Sequence, residues 1–241
     1  MRRHRVYADE TFTGPGGALR RAVGTRTRRW AVAITVLAGL SAAVAVTTVA
    51  RPAELTFATL SHLVQSLMSV IVPCQGIWLA HDLRRAGRTV RVLPTLTAGM
   101  LLAAAIGVAG VLICATTLVV APGAAAQNPW RHAGTVVVGS VLVQVVAGLV
   151  GTGLGLLLRS SVVAFSASIV LPMGLWFVLG AVDGFRPAQA WLAPYATVQN
   201  LLSGQMSAIM WAQWIAVFLL WGVGLNAMGA AWLKRWRQGD E

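Results

Sequence analysis

Apolar residues fall in six long runs along this chain, at 31–49, 55–80, 95–120, 135–158, 162–182 and 209–233, and every Lys, Arg, Asp and Glu lies outside them. Each run is near or above the ~20 residues that carry an α-helix across a hydrocarbon core. The pattern predicts an all-α integral membrane protein of six transmembrane helices. An even number of crossings puts both termini on one side.

The polar intervals have patterns of their own. Residues 81–94, HDLRRAGRTVRVLP, hold Arg84, Arg85, Arg88 and Arg91 on one side, with Leu83, Ala86, Val90 and Leu93 roughly one turn apart on the other. That spacing predicts a short amphipathic helix lying flat on the membrane surface, where a soluble partner could grip it. Residues 1–30 form a basic tail, with an interfacial helix expected over 18–29, where Leu19, Ala22 and Val23 share a face. Its length and charge exceed those of a signal-peptide n-region, and the run behind it exceeds the ~7 to 15 residues of a cleavable segment, so 31–49 is taken as the first span. Between the fifth and sixth runs, Pro187 and Pro194 bracket one short helix-capable stretch, and 195–202 offers another with Val198, Leu201 and Leu202 on one face. Residues 183–208 are therefore expected as two short helices dipping into the outer leaflet. Residues 234–241 form a short C-terminal tail.

Composition supports the membrane reading. Hydrophobic residues make up 57% of the 241, and mean hydropathy is +0.72. No soluble domain of this length hides so much apolar surface. A net charge of +12 would point to nucleic acid in a soluble chain, but here its distribution follows topology. Of the 19 Lys and Arg, only Arg51, Arg131 and Arg186 fall on the side opposite the termini, so the tails and residues 81–94 are placed in the cytoplasm and the protein in the plasma (inner) membrane. The tryptophans agree: Trp30, Trp78, Trp232 and Trp236 fall at inner span ends, and Trp130, Trp191, Trp211 and Trp214 at outer ones. Cys74 and Cys114 sit near opposite surfaces, roughly 12 Å apart in depth, too far for the ~7 Å that a disulfide tolerates. Gly151 with Gly155, and Gly99 with Ala103 and Gly107, are small residues four apart that permit close helix contact, within the bundle or across a dimer seam.

The missing chemistry excludes whole classes of function. The one lysine, Lys234, is not part of a GxxxxGK[ST] phosphate cradle, so this chain lacks its own ATP site. There is no GxSxG and no HExxH, and His4, His62, His81 and His132 belong to different depths and sides, so neither catalytic nor metal-binding residues converge. No carboxylate lies inside a span; Glu54, Asp82 and Asp183 sit at boundaries. Proton-driven transporters carry such a group, so a secondary transporter is disfavoured, with His62 the one residue that keeps it in play. The chief buried polarity is in the second span, where His62, Gln65, Ser66 and Ser69 fall at i, i+3, i+4 and i+7 and form one stripe. Facing lipid would be costly, so the stripe is either glue between helices or the lining of a translocation path. Ser140 with Gln144, and Asn226 alone, are read as glue.

Three stretches carry a resemblance: the basic loop with Gly87, Thr89 and Pro94; GTGLGLLLRSSVVAF at 151–165; and WLAPY at 191–195. The chain resembles the permease subunit of ATP-binding cassette exporters of the second type, which export drugs, antibiotics and lipids. Family members often start the loop with Glu, where this chain has Asp82. The resemblance implies that two permeases pair, as a homodimer or heterodimer, and that two ATPase subunits bearing ATP-Mg bind below. It further implies a coupling helix between spans two and three, involving Asp82, Leu83, Arg84, Arg85, Gly87, Arg88, Thr89 and Arg91. The chain itself would hold no cofactor. The implied cargo is a hydrophobic or amphipathic compound: a drug, antibiotic, peptide or lipid. The rival readings are a membrane adapter or sensor without transport activity, a secondary transporter using His62, and a membrane enzyme, for which no convergent catalytic groups are visible.

Overall fold

The computed structural model describes residues 15–49, 55–85 and 92–239, and these are almost entirely helical. A short helix α1 (Pro15–Gly24) precedes α2 (Arg26–Val49), α3 (Phe57–Arg85), α4 (Val92–Val120), α5 (Ala133–Leu157) and α6 (Ser161–Ala181). Two short helices, α7 (Arg186–Leu192) and α8 (Pro194–Ser203), then lead to a last long helix built of α9 (Ala208–Val217), a π-helical stretch Phe218–Gly224, and α10 (Leu225–Gly239). Six of these helices are long and apolar enough to cross a membrane: α2, α3, α4, α5, α6, and the last helix over Ala208–Arg235.

The helices overrun the apolar runs that nucleate them. α2 starts five residues before residue 31 and α3 continues five beyond residue 80, because Arg, Leu and Asp at the ends extend a helix once the adjoining apolar span has formed it. The expected helix over 18–29 is broken in two: Gly24 ends α1, and the Thr25 hydroxyl accepts the Arg28 N–H at 3.4 Å to start α2. α1 folds back against the side of α4. The two short helices between the fifth and sixth spans form where the prolines place them. Pro187 and Pro194 sit in the first turns of α7 and α8, where proline has no N–H to lose.

α5 is the centre of the bundle. From Gly139 to Leu156 it is buried around most of its circumference, packed by α3, α4, α8 and the last helix. Glycine makes this possible. A Cβ at Gly76 of α3 would lie 2.3 Å from Gly148 O, and one at Gly151 of α5 would lie 2.3 Å from Pro73 O, so backbone meets backbone along this seam. Pro73 falls inside α3 and removes one helical N–H donor where the two helices cross. Gly155 packs on Ile77 and Ala80, Gly107 on Val141, and Gly153 and Gly229 bring α5 and α10 together. Gly151, Gly155 and Gly107 are thus occupied by packing within the chain. Cys74 and Cys114 are both free thiols.

Leu83, Ala80, Leu156 and Leu233 form one buried cluster, so the C-terminal end of the last helix lies at the same end of the bundle as the end of α3. That end also holds the start of α2, and is called proximal here; the other end, with Trp130 and the α7–α8 pair, is distal. At the distal end the chain before α3 is clipped to the turn before α5. Leu55 pairs with Ala125, Phe57 N–H donates to Pro129 O at 2.8 Å, and the Phe57 and Trp130 rings stack.

Candidate functional site: the proximal junction and the polar stripe

The last turns of α3 meet four other helices. Gln75, Trp78 and Asp82 recur at i, i+3 and i+7, which puts them on one face, turned toward the start of α2. There Arg28, buried to 7% exposure, brings Nη2 to 2.6 Å from Asp82 Oδ2 and 3.4 Å from Trp78 O, while Gln75 Nε2 donates to Arg28 O at 3.3 Å. An enclosed guanidinium needs a counter-charge, and Asp82 supplies it.

The neighbours of Asp82 turn to other partners. Arg84 Nη1 donates to Leu158 O at 2.5 Å and reaches Gly155 O at 3.5 Å. These are carbonyls that the end of α5 leaves without helical donors, and a cation there complements the helix dipole. His81 Nε2 lies 3.4 Å from Ser161 Oγ at the first residue of α6. Leu83 is fully buried against Leu156 and Leu233. Four consecutive residues therefore engage α6, α2, the α5–α10 seam and the end of α5.

This corrects the expectation of a separate amphipathic helix over 81–94. His81–Arg85 continue α3, and Val92–Pro94 already belong to α4. Leu83 and Leu93, expected on one face, have opposite fates: Leu83 is buried and Leu93 is 74% exposed. The physical reason is that Asp82 and Arg84 find partners in the bundle if the helix simply continues. Arg85 is the exposed member of this turn. Gly87, Arg88, Thr89 and Arg91 lie outside the described residues.

The stripe on α3 divides. Gln65 is completely buried; its Nε2 donates to Gly107 O at 3.1 Å, and Gln144 Nε2 donates to Gln65 Oε1 at 2.8 Å and to Gln65 O at 3.0 Å. This network ties α3, α4 and α5 together. The glue reading of Gln144 is what the geometry shows, and Gln65 belongs with it. Asn226 likewise joins α10 to α5 by donating to Leu149 O at 2.8 Å, and it also donates to Gly222 O at 2.7 Å in the π-helical stretch. Ser66 and Ser69 are half-buried, and the Ser69 hydroxyl donates to Ser66 O at 2.8 Å.

His62 leaves the stripe for the distal pair of helices. Its Nε2 lies 2.5 Å from Gln199 Oε1 of α8, a hydrogen bond that joins the two helices directly. The α7–α8 pair is held elsewhere too. Gln189 Nε2 donates to Trp176 O of α6 at 2.8 Å, and Trp221 Nε1, from the π-helical stretch, donates to Leu192 O at 2.9 Å. Leu201 presses its backbone on Gly139 of α5, where a Cβ would meet Leu201 O at 2.7 Å. Two short helices are thus attached to α3, α5, α6 and the last helix.

Sequence reasoning missed Arg28 and Gln199 as partners. The i, i+3, i+7 recurrence of Gln75, Trp78 and Asp82 was a usable signal for the first. Nothing local marks Gln199 as the partner of a histidine 137 residues earlier. Compared with protein-family models, with curated proteins and with solved structures, the chain gives no match.

Proposed function

We propose that this chain is the membrane-spanning permease subunit of an ATP-binding cassette exporter of the second type, forming half of a translocation pathway for a hydrophobic or amphipathic compound. The observation that supports it best is the α7–α8 pair between the fifth and sixth spans, attached to four helices of a six-span bundle. Such a pair, before the last span and opposite the termini, is what the resemblance implies. In this reading both termini and the α3–α4 connection are cytoplasmic, α7–α8 is external, and the membrane is the plasma membrane.

Energy then comes from a separate ATPase with ATP-Mg, present in two copies beneath two paired permeases. The ATPase grips the α3–α4 connection through Arg85 and through Gly87, Arg88, Thr89 and Arg91. Asp82, Leu83 and Arg84 act one step inward, passing movement of that connection to α2, α5 and α10 through the contacts described above. Ser66, Ser69 and His62 face the route between the paired subunits, with Gln65 as the anchor behind them.

The test is efflux of a fluorescent amphipathic cation from cells expressing this chain with or without a P-loop ATPase encoded beside it. Efflux that requires both proteins and is blocked by vanadate supports the proposal. Efflux by this chain alone, abolished by collapsing the proton gradient, would instead establish a secondary transporter.

A further inference from the structure

The amides of Gln65 and Gln144 can take only one orientation. Gly107 O and Gln65 O are carbonyls that can only accept, so the groups facing them are amide nitrogens, Gln65 Nε2 at 3.1 Å and Gln144 Nε2 at 3.0 Å. That turns Gln144 Oε1 away from its partner, and it is fully buried with no hydrogen bond among the described residues. An enclosed amide oxygen without a donor is costly, so a donor is required there.

Two hydroxyls lie one turn toward the distal end. Ser140 is four residues before Gln144 and Ser61 four before Gln65, so each shares a face with the amide on its own helix. α3 and α5 run in the same direction, and Gln65 and Gln144 meet with an offset of 79 residues. Ser61 and Ser140 have that same offset, which sets them across the seam from each other. Both are at 0% exposure, and neither hydroxyl has a hydrogen-bond partner among the described residues. Thr35 and Thr152, by contrast, each donate to the carbonyl four residues back in their helices. The Cys114 thiol of α4 lies beside Ser61, but a thiol is too weak a partner to satisfy a hydroxyl.

The surroundings decide the chemistry of the missing partner. α4, α5 and α3 as far as Ala80 carry no Asp, Glu, Lys or Arg, so a bound ion would have no counter-charge. The partner is therefore neutral, donates to an amide oxygen and bonds two hydroxyls that can each give or accept. Three such bonds are what a buried water typically makes.

We propose that a water molecule is bound between α3 and α5, donating to Gln144 Oε1 and bonded to Ser61 Oγ and Ser140 Oγ. The seam is thus backbone against backbone at Gly76 and Gly151 and water-bridged at Ser61 and Ser140, a bridge that can be remade without moving either helix. The inference is independent of the transport reading, since it uses no pathway or coupling residue.

The test is X-ray radiolytic labelling of the full-length protein in a neutral detergent, with a scavenger that consumes radicals formed in bulk solvent. Cys114 is at 0% exposure, so hydroxyl radicals reach it only from water already inside the core. Oxidation of Cys114, mapped by mass spectrometry, is expected in the unaltered protein. Ser61→Ala with Ser140→Ala leaves a water one partner in place of three, and should lower that oxidation about five-fold. Ser41→Ala, at an exposed serine of α2, should leave it unchanged. The unaltered protein is decisive on its own: oxidation of Cys114 no greater than in an unirradiated sample would overturn the site. Undiminished oxidation in a monodisperse double variant would overturn the assignment to these hydroxyls. A thermal midpoint that rises with sodium over choline at equal ionic strength, and loses that rise in the double variant, would overturn water in favour of a cation.

Discussion

Arg28 of α2 and Asp82 of α3, 54 residues apart in the chain, hold each other at 2.6 Å beside the buried cluster that joins α3 to the last helix. Because Arg28 is the more enclosed partner, removing the carboxylate leaves a guanidinium with little water. Asp82→Asn should therefore cost about 2 kcal/mol, read as a drop in the thermal midpoint of detergent-purified protein. Arg28→Gln combined with Asp82→Asn should be no worse than Asp82→Asn alone. An additive double variant would show that the two do not act as a pair.

Arg84 and Arg85 are adjacent and should behave differently. Arg84 caps the end of α5, so Arg84→Ala is expected to lower folded yield by an amount corresponding to ~1 to 2 kcal/mol. Arg85 is exposed, and Arg85→Ala with Arg88→Ala should leave the melting point within a degree while weakening co-purification of the ATPase proposed as its partner. Equal thermal losses for the two variants would contradict this division of roles.

Gln65 should fail the test of a pathway residue. Gln65→Leu removes its bonds to Gly107 O and Gln144 Nε2, leaving Gln144 only the residue-65 carbonyl, and is expected to lower stability by ~0.6 to 2 kcal/mol without changing the cargo range that the proposed transport would show. Gln65→Leu with Gln144→Leu should recover part of the loss, because neither polar group is then left alone. Altered cargo range with unaltered stability would put Gln65 in the route after all.

The α3–α5 seam leaves no room for a methyl group. Gly151→Ala places a Cβ against Pro73 O and should abolish or strongly reduce monodisperse protein on size exclusion, a cost of about 3 kcal/mol or more. Gly174→Ala, which meets nothing within 4 Å, is the matched control and should be neutral.

Accessibility checks the orientation. In a background lacking Cys74 and Cys114, a cysteine at Gln189 should react with an impermeant maleimide added to intact cells, and one at Arg88 should not. Reaction at both would sink the topology.

Spans were legible because hydropathy and length act over whole helices and need no partner. The short helices α7 and α8 were legible for a local reason, the two prolines. The fate of residues 81–94 was not, since the amphipathic spacing of Leu83 and Leu93 assumed a helix independent of its neighbours. What decided it was Arg28, Leu158 and Ser161, groups distant in sequence that hold Asp82, Arg84 and His81 in a continued α3. The polar stripe was legible only as a face: i, i+3, i+4 and i+7 put four residues on one side of a helix but do not say that Gln65 meets α4 and α5 while His62 meets α8. Periodicity specifies a face, and packing divides it.

The Gln65–Gln144 bond also sets a schedule for biosynthesis. Its two ends are 79 residues apart, so at roughly 5–20 residues per second the ribosome needs about 4–16 s after making Gln65 to supply its partner. During that interval α3 already has Gln65 without the side chain that completes its bonding, and Gly76 and Pro73 without the glycine-lined helix they pack on. Its hydropathy, 1.5 against 2.4 for α4, is the lower of the two. The second span is thus the one whose residence beside the insertion machinery must last until the fourth has emerged, and a pause in translation between them would prolong the period in which it is open to degradation.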